Sequence, residues 1–192
     1  MCGIVGYLGK KQNSKKIIEK LKKLEYRGYD SAGIAVMENG KVDCFKQVGC
    51  IDNLEKEVPD DLETTCAIAH TRWATHGKPS KINAHPHMDN SNTFSVVHNG
   101  IIENYQELRD HLTQKGYTFY SETDTEVAVK LIAYYYEKTD HNPLESMSRA
   151  LLRVRGSFAL GIMFKDRPGV VYAARKDSPL IVGQNEGGAF IA

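Results

Sequence analysis

Asn39-Gly40 separates two runs of strand-forming residues, 31–37 and 41–47. A dipeptide that tolerates φ > 0 at both positions, set between two such runs, is the strongest short-range signal for a two-residue hairpin. A tight hairpin pairs its strands antiparallel, and the remaining pattern agrees with sheets made that way. Residues 3–8 read as a strand, and Ile17, Ile18, Leu21 and Leu24 recur at helical spacing between about 14 and 26. A short helix follows Asp52, and a strand over 66–71 runs into a loop rich in Gly, Pro, Asn and His that continues to about 92. Beyond it come a strand over 94–98 and a helix over 103–115 ending at Gly116. Thr123 and Glu126 form a capping-box signal for a further helix, and another helix covers 143–154. Strands are expected over 157–164, 169–174, 179–183 and 188–192. Strands and helices alternate without a strict βαβ rhythm, so an α+β fold with helices packed outside hairpin-built sheets is expected.

The 192 residues are 41% hydrophobic, enough for one globular domain with a real core. The 25 basic and 24 acidic residues leave a net charge of +1, which points to neither nucleic acid nor an anionic membrane as partner. The Lys-rich run 15–23 reads as a solvated helix face. No apolar stretch is long enough to span a bilayer, and the polar residues 10–16 follow too soon for a signal peptide. Cys2, Cys44, Cys50 and Cys66 contain no CxxC pair, which suits reduced thiols in a cytoplasm. The strand-like ending Gly188-Ala189-Phe190-Ile191-Ala192 suggests a piece of a longer polypeptide.

Cys2 stands directly behind Met1. Removal of Met1 gives one residue both a thiol nucleophile and an α-amine of pKa about 7.7–8.0 that can accept a proton near neutral pH. A second cluster is His70-Thr71-Arg72-Trp73-Ala74-Thr75-His76-Gly77, followed by Asn83-Ala84-His85-Pro86-His87. An Arg there can grip a carboxylate with two parallel hydrogen bonds. The rival readings are an ordinary surface ion pair and a zinc site from His70, His76, His85 and His87, whose spacing matches no standard ligand pattern. His98-Asn99-Gly100 is either a hairpin turn or a source of two neutral donors for an oxyanion, and its spacing alone favours the turn. Asp124, in the first turn of a helix, either complements the helix dipole or receives a ligand ammonium group. Ser31 lacks the GxSxG frame of a nucleophile elbow, and Gly9-Lys10-Lys11 lacks the frame of a phosphate loop.

Taken in order, Met1-Cys2-Gly3-Ile4-Val5-Gly6, residues 24–33 with Tyr26-Arg27-Gly28-Tyr29-Asp30-Ser31, residues 70–77, residues 83–87, residues 98–104 and residues 121–127 resemble the glutaminase domain of the glutamine:fructose-6-phosphate aminotransferase family. The segment with Tyr29-Asp30 is what separates that family from other class II amidotransferases. The resemblance implies the N-terminal nucleophile hydrolase fold, a four-layer αββα sandwich of two mostly antiparallel sheets, over residues 1–192 as a single domain. It implies that Cys2 attacks the side-chain amide of L-glutamine and that Asn99 and the Gly100 N–H hold the oxyanion. Arg72 would take the substrate α-carboxylate and Asp124 its α-ammonium, with Thr75, His76 and Gly77 lining the pocket. Trp73, otherwise readable as a core residue, would gate the passage of ammonia. Arg27, with Tyr29 beside it, would help organise the nucleophile's end of the site and the contact with the partner domain, and His85 and His87 would support the loop. It implies no metal and no cofactor, and sugar isomerase domains elsewhere in the same polypeptide, within a homo-oligomer. The alternatives are another amidotransferase of the class and a glutamine-binding module without turnover.

Overall fold

The computed structural model describes residues 2–192; Met1, on whose removal the N-terminal amine depends, lies outside the described residues. Its strands are β1 (Gly3–Asn13), β2 (Ser31–Glu38), β3 (Lys41–Val48), β4 (Glu63–Arg72), β5 (His87–Met88), β6 (Phe94–Ile102), β7 (Gly156–Phe164), β8 (Tyr172–Lys176), β9 (Val182–Asn185) and β10 (Gly188–Ile191). Its helices are α1 (Lys15–Lys22), α2 (Ile51–Glu57), α3 (Tyr105–Gln114), α4 (Asp124–Lys138) and α5 (Pro143–Leu151), with a 3-10 turn at Glu25–Arg27. Six strands join in the order β3-β2-β4-β1-β10-β9 and four in the order β5-β6-β7-β8. All the strand pairings are antiparallel.

The two-residue period of a strand sorts its side chains into layers. In β4, Ala67 and Ala69 pack toward α1 and α2 with Ile17, Ile18, Leu21, Ile51 and Leu54. Their neighbours Cys66 and Ile68 face the other sheet and meet Val97, Ala159 and Met163. In β7, Phe158, Leu160, Ile162 and Phe164 turn outward onto α3, α4 and α5. Three apolar layers, helix on sheet, sheet on sheet and sheet on helix, make the αββα sandwich. Fully burying one of these Ile or Leu side chains is worth about 1.5–3 kcal/mol.

Asn39 and Gly40 have φ of 51° and 74°, the positive values a two-residue hairpin turn needs, and β2 and β3 pair around them from Glu38↔Lys41 onward. The expected helix over 14–26 stops at Lys22 and resumes as a 3-10 turn, because the chain must bring Gly28 against the end of β4. The expected helix over 143–154 ends at Leu151, and the two strands expected over 169–174 and 179–183 begin later, at Tyr172 and Val182. The long loop contains the two-residue strand β5, too short to leave a periodic signal. Only half of the capping box forms: Thr123 Oγ1 accepts from Glu126 N at 3.2 Å, while the Glu126 carboxylate turns to Tyr120 N and Ser121 N. The cysteines are free, with Cys66 buried as expected. No helix among the described residues is long and apolar enough to cross a membrane.

Candidate active site

Cys2 immediately precedes β1, whose Gly3 pairs with Thr71 near the end of β4. This register sets the thiol against the first residue after β4: Trp73 N donates to Cys2 Sγ at 3.3 Å. The second sheet approaches from the other side, where Asn99 Nδ2 donates to the Cys2 carbonyl at 3.0 Å. Burial pushes the Cys2 thiol pKa up, opposed by the Trp73 N–H and by the Arg72 guanidinium nearby. A thiol raised above its ordinary value stays protonated near neutral pH unless a local base takes the proton.

Asn99-Gly100 is not a hairpin turn. β6 runs straight through it to Ile102 and pairs with β7, Gly100 opposite Phe158. Gly100 has φ of +127°, and a Cβ there would meet the Ser157 carbonyl oxygen at 2.1 Å, so the position admits only glycine. The Asn99 carboxamide is oriented by His70, whose Nε2 lies 3.0 Å from Asn99 Oδ1 and 3.0 Å from the His98 carbonyl oxygen. Both neighbours are acceptors, so Nε2 carries the proton. Burial pushes the His70 pKa down to about 3 and keeps the ring neutral.

Arg72 closes β4 and is buried, 3% exposed. Its Nη2 donates to the His76 and Gly77 carbonyl oxygens, the latter at 2.9 Å. Its Nη1 lies 3.9 Å from Asp30 Oδ1 and makes no hydrogen bond of its own. Asp124, the first residue of α4, is also buried, and its Oδ2 accepts from Ile102 N at 2.9 Å. A carboxylate that only complemented a helix dipole would stay in water; this one is fixed to the neighbouring strand.

Cys2, Arg72, Trp73, Thr75, His76, Gly100 and Asp124 line one small cavity. It carries a guanidinium and a carboxylate on its wall with the thiol beside them. Asn99 and Gly77 stand behind the lining, tied to Cys2 and Arg72 by the bonds above. Trp73 is not a core residue: it is 48% exposed and meets the ring of Tyr29 edge-on at 5.5 Å, Tyr29 being 59% exposed. Arg27 ends the 3-10 turn outside the cavity lining.

Residues 70–192, more than half the chain, match the family described as glutamine amidotransferase domain. The chain belongs to that family. It is 55% identical, over its full length, to the glutamine–fructose-6-phosphate aminotransferase (isomerizing) of Clostridium acetobutylicum, and 51% identical to that of Pyrococcus horikoshii. It spans 31% and 32% of those relatives, about a third of their length. Among solved structures, a glutamine phosphoribosylpyrophosphate amidotransferase from B. subtilis superposes on the whole chain with a TM-score of 0.84 at 23% identity, over 41% of that chain. That likeness carries the fold, a sandwich of two antiparallel sheets between helices.

In this glutamine amidotransferase domain four of the histidines, His70, His85, His87 and His98, pack into a buried wall. His70 stacks on His85 at 4.1 Å, and His85 meets His87 at 4.9 Å. His87 Nε2 lies 3.0 Å from Thr123 Oγ1, and His98 Nδ1 lies 2.8 Å from Thr125 Oγ1. No group of His, Cys, Asp and Glu among the described residues converges to hold a metal ion. Asp30 is a site residue that spacing alone does not reveal. Its Oδ2 accepts from Ala74 N and its backbone N–H donates to Arg72 O at 3.2 Å, so it fixes the start of the loop on which Trp73 and Thr75 ride.

Proposed function

We propose that residues 1–192 form a single glutaminase domain that hydrolyses the side-chain amide of L-glutamine through Cys2. The observation that carries this reading is the meeting of Cys2 with Asn99 at a cavity whose wall bears Arg72 and Asp124. Those two charges complement an amino-acid zwitterion, Arg72 toward its carboxylate and Asp124 toward its ammonium. Thr75 and His76 complete the pocket on the loop side, with Gly77 behind them.

Removal of Met1 turns the Cys2 nitrogen into an α-amine, which takes the thiol proton. The thiolate attacks the amide carbon, and its oxygen gathers negative charge that Asn99 Nδ2 and the Gly100 N–H stabilise. The C–N bond then breaks, the nitrogen takes the proton relayed by the α-amine and leaves as ammonia, and a thioester remains on Cys2. Water adds to the thioester, releasing glutamate and the thiol.

The identity to the aminotransferases supports a further step in the complete protein, transfer of the ammonia to fructose 6-phosphate by sugar isomerase domains of the same polypeptide. Ammonia must travel there unprotonated, which calls for a path shielded from water. The exposed pair Trp73 and Tyr29, with Arg27 in the adjoining turn, suits the contact and gate to that partner. Cytoplasmic location and assembly into a homo-oligomer belong to the same reading, and the chain by itself releases glutamate without forming the amino sugar.

The test is intact mass before and after incubation with 6-diazo-5-oxo-norleucine, an electrophilic glutamine analogue. A chain lacking Met1 that gains a single adduct, absent in Cys2→Ala, supports the assignment. A chain lacking Met1 that gains none overturns it.

A further inference from the structure

The loop between β4 and β5 is tied to the segment before α4 through Asn83. Asn83, 1% exposed, lies within it, and its carboxamide is fully used. Nδ2 donates to the Lys78 carbonyl oxygen at 2.9 Å and to Glu122 Oε2 at 3.0 Å, while Oδ1 accepts from Glu122 N at 3.0 Å. Asn83 and Glu122 thus form a closed two-bond ring between the loop and the segment leading into α4. Gly77 rests on that ring. Its φ is +75°, and a Cβ there would meet Asn83 Nδ2 at 2.7 Å and Glu122 Cβ at 2.8 Å. The Gly77 carbonyl in turn accepts from Arg72 Nη2 at 2.9 Å.

The two charged groups of the cavity wall are therefore joined through this contact. One path runs from Arg72 through Gly77 to Asn83. The other runs from Glu122 through Thr123 to Asp124, whose carboxylate is already fixed by Ile102 N. We propose that the Asn83–Glu122 pair is a positioning device that sets the span between the guanidinium and the carboxylate, and so the preference for a substrate carrying both an α-carboxylate and an α-ammonium. The proposal rests on the glutaminase reading above. Asn83 touches no reacting atom and acts only through Gly77, Arg72 and the segment before Asp124.

The experiment compares glutamate release from L-glutamine with glutarate release from glutaramate, which keeps the amide and one carboxylate and lacks the ammonium, in the wild-type chain, Asn83→Ala, Glu122→Ala and Glu122→Gln. Loss of one or two hydrogen bonds predicts a rise in KM for L-glutamine of about five- to twentyfold in Asn83→Ala with a much smaller change in kcat. The preference in kcat/KM for L-glutamine over glutaramate falls by a similar factor. Glu122→Ala shifts it the same way by a smaller factor, and Glu122→Gln, which keeps an acceptor for Asn83, restores the wild-type ratio. General destabilisation lowers both substrates together and leaves the ratio unchanged, so a constant ratio in Asn83→Ala and in the surface variant Glu122→Ala overturns the proposal. A wild-type chain lacking Met1 that releases no glutamate overturns the glutaminase reading instead.

Discussion

His70 Nε2 lies 3.0 Å from Asn99 Oδ1, and that hydrogen bond decides which end of the Asn99 carboxamide faces Cys2. With the oxygen engaged by the imidazole, the NH₂ group is left for the Cys2 side, where it donates to the Cys2 carbonyl at 3.0 Å. The two acceptor oxygens at Nε2 place the ring proton there, and burial keeps the ring neutral.

Two substitutions separate the roles of that pair. Asn99→Ala removes the oxyanion donor proposed above and is expected to lower kcat for glutamate release by about 10²–10³-fold. His70→Leu leaves the donor in place but frees the carboxamide to rotate, so a smaller loss in kcat, about tenfold, is expected with little change in KM. Steady-state kinetics on both variants checks this; equal losses would show that His70 does more than orient Asn99.

The four buried histidines give the fold a pH dependence of definite sign. An unfolded imidazole takes up a proton near pH 6.5. Burial holds the folded pKa of His70 down to about 3 and holds His85, His87 and His98 below the ordinary value as well. Below pH 6.5 the unfolded chain therefore binds more protons than the folded one. The stability that these rings contribute is complete above that pH and is lost as pH falls below it, by up to about 1.4 kcal/mol per pH unit for each ring. Urea midpoints at pH 7.5, 6.5 and 5.5 should fall in that order. An unchanged midpoint across the series would falsify the neutral-histidine wall.

Gly100→Ala is expected to destabilise the domain by about 1–3 kcal/mol through its backbone conformation alone, with the clash against the Ser157 carbonyl oxygen in addition. Because Gly100 also lines the cavity, activity should disappear in the fraction that still folds. Thermal denaturation together with glutamate release tests both statements.

Lys130 is 1% exposed, with Nζ donating to Asn90 Oδ1 and lying 3.6 Å from Glu126 Oε1. Glu126 holds Tyr120 N and Ser121 N, so the pair braces the segment before Asp124. Lys130→Ala leaves a buried carboxylate without its cation, and a loss of about 3–5 kcal/mol is expected in urea unfolding. The double variant Lys130→Met with Glu126→Gln should lose less than the sum of the two single changes.

The sequence carries the signal Asn-Gly twice, and the two outcomes show what was legible and what was not. At Asn39-Gly40 the turn forms as expected, and a Cβ on Gly40 would meet nothing within 4 Å. At Asn99-Gly100 the same dipeptide lies inside a strand, because β7, which begins at Gly156, supplies a full antiparallel partner and crowds Gly100 with the Ser157 carbonyl. Local preference permits both outcomes; the distant strand decides between them. The solvent position of Trp73 is likewise set by where Asp30 holds the loop, a contact from β2's leading edge that no periodicity encodes. Helices outside hairpin-built sheets were readable from the pattern of the elements, whereas the four-layer order and the roles expected of Cys2, Arg72 and Asp124 came from the family resemblance. The Asn83–Glu122 contact depends on a loop meeting a distant turn, and no spacing announces it.

The placement of β1 bears on when the site can first exist. β1 lies between β4 and β10 in the six-stranded sheet. As the chain leaves the ribosome, Cys2 emerges early, yet one side of β1 waits for residues 63–72 and the other for residues 188–191. Asn99 on β6 and Asp124 on α4 arrive in between. Cys2 is thus synthesised well before Arg72, Asn99 and Asp124, which meet it or line its cavity, and before residues 188–191, which cover the second side of β1.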